Sequence, residues 1–457
     1  MTPEPVDKAN PSTVTYALAG NEPAEFIEAF IVDINGIARG KRVPMTALDR
    51  LYEKGLCLPA STALLDIWGG EVEDTGLVLE TGDADHICWP ILDKVWPQPW
   101  SQRSGGQLLM QMHANDGAPF AGDPRVVLNT VLERLNARGL HPVIAIELEF
   151  RLLEAELDST GVPTPAKAST GLGQPSQLYG LEELERLDPV FADIQQACSA
   201  QGLPIDTLIA EQSEGQYEIN LEHVDDAMQA ADQALLLKRT IKACAHQHGL
   251  AASFMAKPFG MSAGNGMHVH ISVLDDNQDN VFSKDSEPTE CLMQSVAGLL
   301  NTMADATALF APHANSYRRF QAGSHVPMAP SWGWDNRTTA LRLPLATPAA
   351  TRIEHRVAGA DANPYLVLAA VLAGIEHGLD HGVLPSLETH GNAYDQHAPS
   401  LPDDWSVALA RFEQSAFITD YIGATYQSWF AACKRQERDQ LKCEVPTSEY
   451  AAYLQTV

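Results

Sequence analysis

Gly264-Asn265-Gly266-Met267-His268-Val269-His270-Ile271-Ser272 is the stretch from which the rest of the chain can be read. Two glycines run into alternating polar and apolar residues, the period of a β-strand. His268, His270 and Ser272 then point to one face, and Met267, Val269 and Ile271 to the other. A lone His-x-His strand would be a half-buried sheet edge with solvated imidazoles. Here the pattern recurs. Glu147-Leu148-Glu149 puts two carboxylates on one strand face, and Gln216-Tyr217-Glu218, with Glu211 just upstream, does nearly the same. Arg352-Ile353-Glu354-His355-Arg356 presents Arg, Glu and Arg on one side. Four such strands predict a sheet curved around divalent metal. Carboxylate oxygens with a single imidazole suit hard Mg²⁺ or Mn²⁺. The arginines argue against plain metal–water hydrolysis and for an anionic substrate, phosphate or carboxylate.

With 457 residues, 45% hydrophobic and 19% charged, the chain has the composition of a two-domain globular enzyme. Lys+Arg 30 against Asp+Glu 59 gives a net charge of -29, which argues against a nucleic-acid partner. Seven scattered cysteines without Cys-x-x-Cys fit reduced thiols, so a cytoplasmic location is expected. The polar N-terminal stretch carries no signal-peptide pattern. No apolar run approaches the ~20 residues of a bilayer span, and no membrane partner is expected.

Residues 1–20 read as a flexible tail, 21–121 as a small α+β unit and 122–457 as a larger domain. In the small unit, Phe30 to Lys41 reads as a hairpin turning at Asn35-Gly36. Gly36 to Lys41 is too tightly spaced for a phosphate-binding loop and has Arg42 where Ser or Thr is needed. An amphipathic helix over Met45–Gly55 and further strands around Gly69-Gly70 and Gly82-Asp83 complete it. Asp123-Pro124 opens a helix that Gly139 closes. Residues 158–178, rich in Gly, Pro, Ser and Thr, read equally as a lid or a surface excursion. Helices are expected over Glu182–Gly202, Asp225–Gly249, Glu290–Phe310 and Asn363–Asp380, a strand over Leu250–Lys257, and a mobile C-terminal tail. Strands and helices do not alternate in βαβ rhythm, which favours an antiparallel α+β sheet.

Taken in order, several motifs together resemble the glutamine synthetase family over nearly the whole chain. They begin with Asp33-x-x-Gly36-x-x-Arg39-Gly40-Lys41, Glu147-x-Glu149-Phe150, Glu211-x-x-x-Gly215-Gln216-x-Glu218 and Lys257-Pro258. They continue through the Gly264 stretch, Asn315-Ser316-Tyr317-x-Arg319, Asn336-Arg337-x-x-x-x-Arg342-x-Pro344, Arg352-x-Glu354-x-Arg356 and Asn363-Pro364-Tyr365. The resemblance implies an N-terminal β-grasp domain and a C-terminal catalytic domain with a curved antiparallel sheet. It also implies a homo-hexamer or homo-dodecamer with active sites between subunits. ATP and Mg²⁺ or Mn²⁺ follow from it. Glu149, Glu211 and Glu218 would hold one metal, and Glu147, His268 and Glu354 the second. Arg337 would meet the transferring phosphoryl group, and His270, Ser272, Arg342 and Arg352 the nucleotide. The Gly264 backbone, Arg319 and Arg356 would bind the glutamate carboxylate, and Asp66 would come from the neighbouring subunit. The implied activity is ATP-dependent ligation of the glutamate γ-carboxylate to a nitrogen nucleophile through γ-glutamyl phosphate.

One position departs. Ammonia-using members carry a glutamate after the Asn-Ser-Tyr-x-Arg segment, whereas this chain reads Gly323-Ser324-His325-Val326-Pro327. With Ser331–Arg337 and Val357–Tyr365, it resembles the γ-glutamylpolyamine synthetase branch. An organic primary amine, polyamine or monoamine, is therefore the expected co-substrate. The alternatives are a ligase specific for bulky or aromatic monoamines and a true glutamine synthetase using ammonia. His325 reads as an amine-site residue or as an inert flap residue. Trp68, Trp332 and Trp334 read as amine pocket or as packing. A guanidino kinase with related architecture would stop at phosphoryl transfer and need no glutamate. A dead-site relative would lack metal or arginine positions, and here every one is filled.

Overall fold

Pairing of the four polar-faced strands forms the centre of an eight-stranded sheet. The computed structural model describes residues 15–16, 24–91, 94–159, 161–166, 177–285 and 287–457. Across the sheet the order is Trp332–Trp334, Leu341–Leu343, Ile353–His355, Met267–Leu274, His141–Glu154, Gln216–Leu221 and Ile205–Ala210, with Leu250–Ser253 also paired to His141–Glu154. All pairs are antiparallel except Trp332–Trp334 with Leu341–Leu343, which run parallel. The register sets His268 opposite Glu147, Glu149 opposite Glu218, and His270 opposite Glu354. Because side chains alternate along each strand, this register gathers Glu147, Glu149, Glu218, His268, His270, Arg342 and Glu354 on one face. The other face carries Ile146, Leu148, Met267, Val269, Ile271 and Ile353, all almost fully buried. Each such side chain contributes about 1.5–3 kcal/mol on burial. That apolar layer, packed on the long helix Ala227–Gln247, tolerates the repulsion of a Glu–Glu cross-strand pair on the far side.

The N-terminal part matches the expected β-grasp in outline. Phe26–Val32 pairs antiparallel with Ala38–Pro44 and parallel with Gly105–His113. The hairpin turns at Asn35-Gly36, with Gly36 at φ 75° and the Asp33 carboxylate accepting from the Asn35 and Ile37 amides. A short helix, Leu48–Lys54, follows. The hairpin docks on the catalytic part through Asn363 Nδ2, which donates to the Asp33 and Ile34 carbonyls, and through buried Lys434, which donates to Asn35 Oδ1.

Several expected boundaries shift. No strand forms at Gly69-Gly70 or Gly82-Asp83, where positive φ at Gly69, Gly82 and Asp83 turns the chain, and the strand there is Asp85–Pro90. The Glu182–Gly202 helix is two, Leu181–Arg186 and Asp188–Gln201, broken at Leu187 before Pro189. Glu290–Phe310 ends at Thr302 and resumes as Thr307–Phe310. In place of a mobile C-terminal tail there is a helix, Thr447–Tyr453. Within the expected flexible tail 1–20, Thr15–Tyr16 pairs with Lys94 and Val95. The remainder of that tail lies outside the described residues, as do 160 and 167–176 of the segment read as lid or excursion. Among the described residues no helix is long and apolar enough to cross a membrane.

Candidate active site

The polar face of the sheet floors a cavity of about 540 Å³. Its lining includes Glu147, Glu149, Glu211, Glu218, Gly264, His268, Arg319, His325, Arg337, Arg342, Glu354 and Arg356. These residues are scattered along the sequence; the cross-strand register joins Glu147, Glu149, Glu218, His268, Arg342 and Glu354, and loops and turns bring in Gly264, Arg319, His325 and Arg337.

The glycines of the leading stretch are there because side chains crowd it. A Cβ at Gly264 would lie 2.4 Å from Arg319 Cγ and 2.7 Å from the Ala256 carbonyl, and one at Gly266 would lie 2.9 Å from His268 Nε2. The loop is fixed by Asn265, whose backbone N–H donates to Ala256 O and whose side chain donates to Met255 O. Asn315 exchanges two hydrogen bonds with the Lys257 backbone just before it. The Gly266 N–H then donates to Glu149 Oε2 at 2.8 Å, which ties the loop to the carboxylate strand.

Two groups of ligand-type atoms result, each within 4.8 Å mutually: Glu147 with His268 and Glu354, and Glu149 with Glu218 and His268. His268 Nδ1 lies 3.1 Å from Glu147 Oε2, and His270 Nε2 lies 2.8 Å from Glu147 Oε1. Burial pushes the Glu147 carboxyl up, but hydrogen bonds and charge from the two histidines outweigh it and hold the group far below the usual carboxylate range. Burial acts likewise on Glu354, and Arg356, His270 and His268 bring it down to about 2. Glu218 goes the other way. Burial, then the charges of Glu147, Glu149 and Glu211, push it up to about 9. Carboxylates crowded in this way, with an imidazole among them, form a donor set that a divalent cation fits. Glu211 stands on the turn after Ile205–Ala210, outside both groups yet lining the same cavity, and burial and Glu149 push its carboxyl up.

The arginines divide into two kinds. Arg342 and Arg356 both donate to Glu354, the former at 2.7 Å, and Arg342 also meets Asp335. Arg319 is 3% exposed and donates Nη1 to the Val357 carbonyl, while its Nε and that of Arg356 are buried with no partner among the described residues. Both residues line the cavity, and guanidinium groups there suit an anionic ligand. Arg337 is exposed and lines both this cavity and an adjoining hollow that Trp334, Asn336 and Thr338 share. His270, Ser272 and Arg352 do not line the cavity; they continue the same sheet face beyond it, with Arg352 Nε 3.2 Å from His270 Nδ1.

His325 sits over the cavity, exposed and at φ 57°, a left-handed backbone that few side chains adopt. Asp66 is not part of the chain's own cavity. It is 2% exposed, accepts from the Trp68 and Gly70 amides, and accepts from Gln436 Nε2 at 2.9 Å. None of the three tryptophans read as pocket walls lines the cavity. Trp332 is buried and donates its indole N–H to Ser386 O, Trp68 is 47% exposed on the N-terminal part, and Trp334 faces the adjoining hollow. Sequence reasoning missed Leu178, Tyr179, Ile209, Asn220 and Val326, which also line the cavity. Asn220 was within reach, since it continues the Gln216, Glu218 alternation. Leu178 and Tyr179 carry no such signal, being the end of an irregular segment.

Residues 121–453 match the glutamine synthetase catalytic domain. The chain is 41% identical to γ-glutamylputrescine synthetase PuuA of Escherichia coli strain K12, across 93% of this chain and 90% of that protein. It is 29% identical to a glutamate–isopropylamine ligase of a Pseudomonas species, across 93% and 94%. Among solved structures it resembles a GmaS/ADP complex, with a TM-score of 0.83 and 29% identity over 94% of this chain and 97% of that one.

Proposed function

The chain belongs to the glutamine synthetase family, and from that premise we propose that it joins the γ-carboxylate of glutamate to an organic primary amine, using ATP and a divalent metal. The observation that carries this reading is one cavity lined both by the carboxylate–imidazole groups and by Arg319 and Arg356. Glu147, His268 and Glu354 would hold one Mg²⁺ or Mn²⁺, and Glu149 and Glu218, with Glu211, the other. Bound there, the metals neutralise triphosphate charge and favour in-line phosphoryl transfer.

Arg319 and Arg356, with the Gly264 backbone, bind the carboxylate of glutamate and orient its side chain. Arg337 stabilises the transferring phosphoryl group. Arg342, Arg352, His270 and Ser272 lie along the nucleotide. The γ-carboxylate oxygen bonds to the terminal phosphorus as the bond to ADP breaks. The amine nitrogen then bonds to the acyl carbon, phosphate leaves, and the nitrogen gives up a proton. For an amine of pKa ~10.4, exposing the lone pair at neutral pH costs about 4–5 kcal/mol, so a base near the nitrogen is needed. His325 lines the cavity, which supports assigning it to take that proton or to shape the amine pocket.

Both relatives are named for organic amines, which supports a putrescine-like or small alkyl amine here. A bulky or aromatic monoamine is the second reading, favoured by Leu178, Tyr179, Ile209 and Val326 in the cavity wall. Ammonia is disfavoured because His325 supplies no fixed negative charge to enclose ammonium. The same proposal includes a homo-hexamer or homo-dodecamer, since Asp66 stands outside its own chain's cavity and would serve a neighbour's. It also includes a division at residues 121/122 and a cytoplasmic location. The test is glutamate, ATP and hydroxylamine in place of the amine. γ-Glutamyl hydroxamate should form only when all three are present, and ATP cleavage indifferent to glutamate would favour a kinase or ATPase.

A further inference from the structure

The cavity is roofed by two loops, one carrying His325 and the other Arg337, and both are tied to a single segment that takes no part in lining the cavity. That segment runs from Ser386 to Leu401 and includes the short helix Ala393–Gln396. On the Arg337 side, Asn336 Nδ2 donates to the Thr389 carbonyl at 3.0 Å and the Gly391 carbonyl at 2.8 Å. The Ala393 N–H donates to Thr338 Oγ1 at 3.0 Å, and the Trp334 N–H donates to Glu388 Oε1 at 3.1 Å. On the His325 side, the Ser400 and Leu401 amides both donate to the Met328 carbonyl. One side chain reaches further. The Tyr394 hydroxyl donates to the Val326 carbonyl at 2.9 Å, one residue from His325.

Tyr394 is half-buried, and burial pushes its phenol above the ordinary value while the positive charges of Arg356 and Arg319 oppose that rise. The ring therefore stands within electrostatic reach of the proposed glutamate-binding arginines at the same time as its hydroxyl pins the flap. The pinned backbone needs holding. His325 is a non-glycine residue at φ 57°, with Gly323 at φ 77° just before it, and the Gln321–His325 stretch has no regular secondary structure.

We propose that Tyr394 is a positioning residue that sets the place of the His325 flap over the cavity, so that the segment holding Arg337 also holds the amine end of the site. This rests on the reading of His325 as an amine-site residue. The tie from Ala393 to Thr338 and the tie from Tyr394 to Val326 leave one short helix, so the phosphoryl end and the amine end are held in register by adjacent residues. Tyr394→Phe removes the hydroxyl and keeps the ring. Losing one hydrogen bond of this kind corresponds to about a three- to tenfold change.

The test is a double-mutant cycle in the full-length enzyme: wild type, Tyr394→Phe, His325→Ala and the double variant. It measures kcat/KM for the best organic amine, KM for ATP and thermal midpoint. Tyr394→Phe should lower amine kcat/KM about three- to tenfold while leaving KM for ATP and the midpoint near wild type. Added to His325→Ala it should cost little more, because both changes act through one flap. Amine kcat/KM unchanged in Tyr394→Phe would overturn the proposal, and so, where His325→Ala itself lowers amine kcat/KM, would a double variant whose loss is the product of the two single losses. His325→Ala without effect on the amine would instead sink the reading of His325. In that case the selective loss of amine kcat/KM in Tyr394→Phe would still support flap positioning, and a parallel rise in KM for ATP would overturn it.

Discussion

Glu354 is where the proposed metal chemistry and the stability of the fold meet, and Glu354→Gln separates the two. The carboxylate is 1% exposed, accepts from Arg342 and Arg356, and joins Glu147 and His268 in a ligand group. Its carboxyl is held at about 2 against a usual 4.5, burial being overcome by Arg356 and the two histidines. A shift of that size is worth about 3 kcal/mol to the fold. Its sign is that of a depressed acid: the contribution is present above the usual carboxylate range and is lost as pH falls toward 2. Removing one partner of a buried ion pair costs about 3–5 kcal/mol by the general rule, because the other partner stays buried and unpaired. Arg356 is the guanidinium left here, since Arg342 keeps Asp335. Glu354→Gln should therefore lose about 3 kcal/mol of unfolding free energy at neutral pH, read from urea unfolding in chelator. In wild type, adding Mg²⁺ with ATP should raise the unfolding midpoint, and in the variant that rise should shrink markedly. A variant within about 1 kcal/mol of wild type, with the full response to Mg²⁺ and ATP, would refute both the ion-pair reasoning and the ligand assignment.

Three further outcomes are expected. Arg337→Ala should cut γ-glutamyl hydroxamate formation by two or more orders of magnitude, roughly 3 kcal/mol, the scale of losing a preorganised charge clamp; a loss under fivefold would place the phosphoryl contact elsewhere. His325→Glu should shift kcat/KM toward ammonium relative to the organic amine, since it restores an anion at that position, and an unmoved ratio would leave selectivity to Leu178, Tyr179 and Ile209. Glu218 is raised to about 9, so its stabilising effect is complete below the usual carboxylate range and fades as pH rises toward 9. The thermal midpoint in chelator should therefore fall between pH 6 and pH 8, and added Mg²⁺ should recover more at pH 8, where the metal holds Glu218 ionised; equal recovery at both would remove Glu218 from the metal site.

The sheet and its polar face were legible because period two is a local property of the sequence. His268, His270 and Ser272, or Glu147 and Glu149, can share a face only if those stretches are strands. The Asn35-Gly36 turn and the Asp123-Pro124 helix start were legible for the same reason, each being fixed by residues next to one another. Register is not local. That Glu149 faces Glu218, and that Glu354 serves two arginines as well as a ligand group, emerged only when the strands were paired. Glu211 shows the limit at the site itself: the motif suggests a ligand equal to Glu218, yet the turn sets it outside both groups. Leu178 and Tyr179 were invisible because an irregular segment has no period to read. The tryptophans stayed open between pocket and packing because burial decides their role, and Trp332 spends its indole on packing and a carbonyl.

The most direct measurement is amine-dependent phosphate release with ATP, glutamate and metal, comparing putrescine, isopropylamine, an arylalkylamine and ammonium by kcat/KM. Release should require glutamate, and at least one organic amine should exceed ammonium, with the matching γ-glutamyl amide found in the products. Release that proceeds without glutamate, or an enzyme for which ammonium surpasses every organic amine, would contradict the assignment as a glutamate–amine ligase.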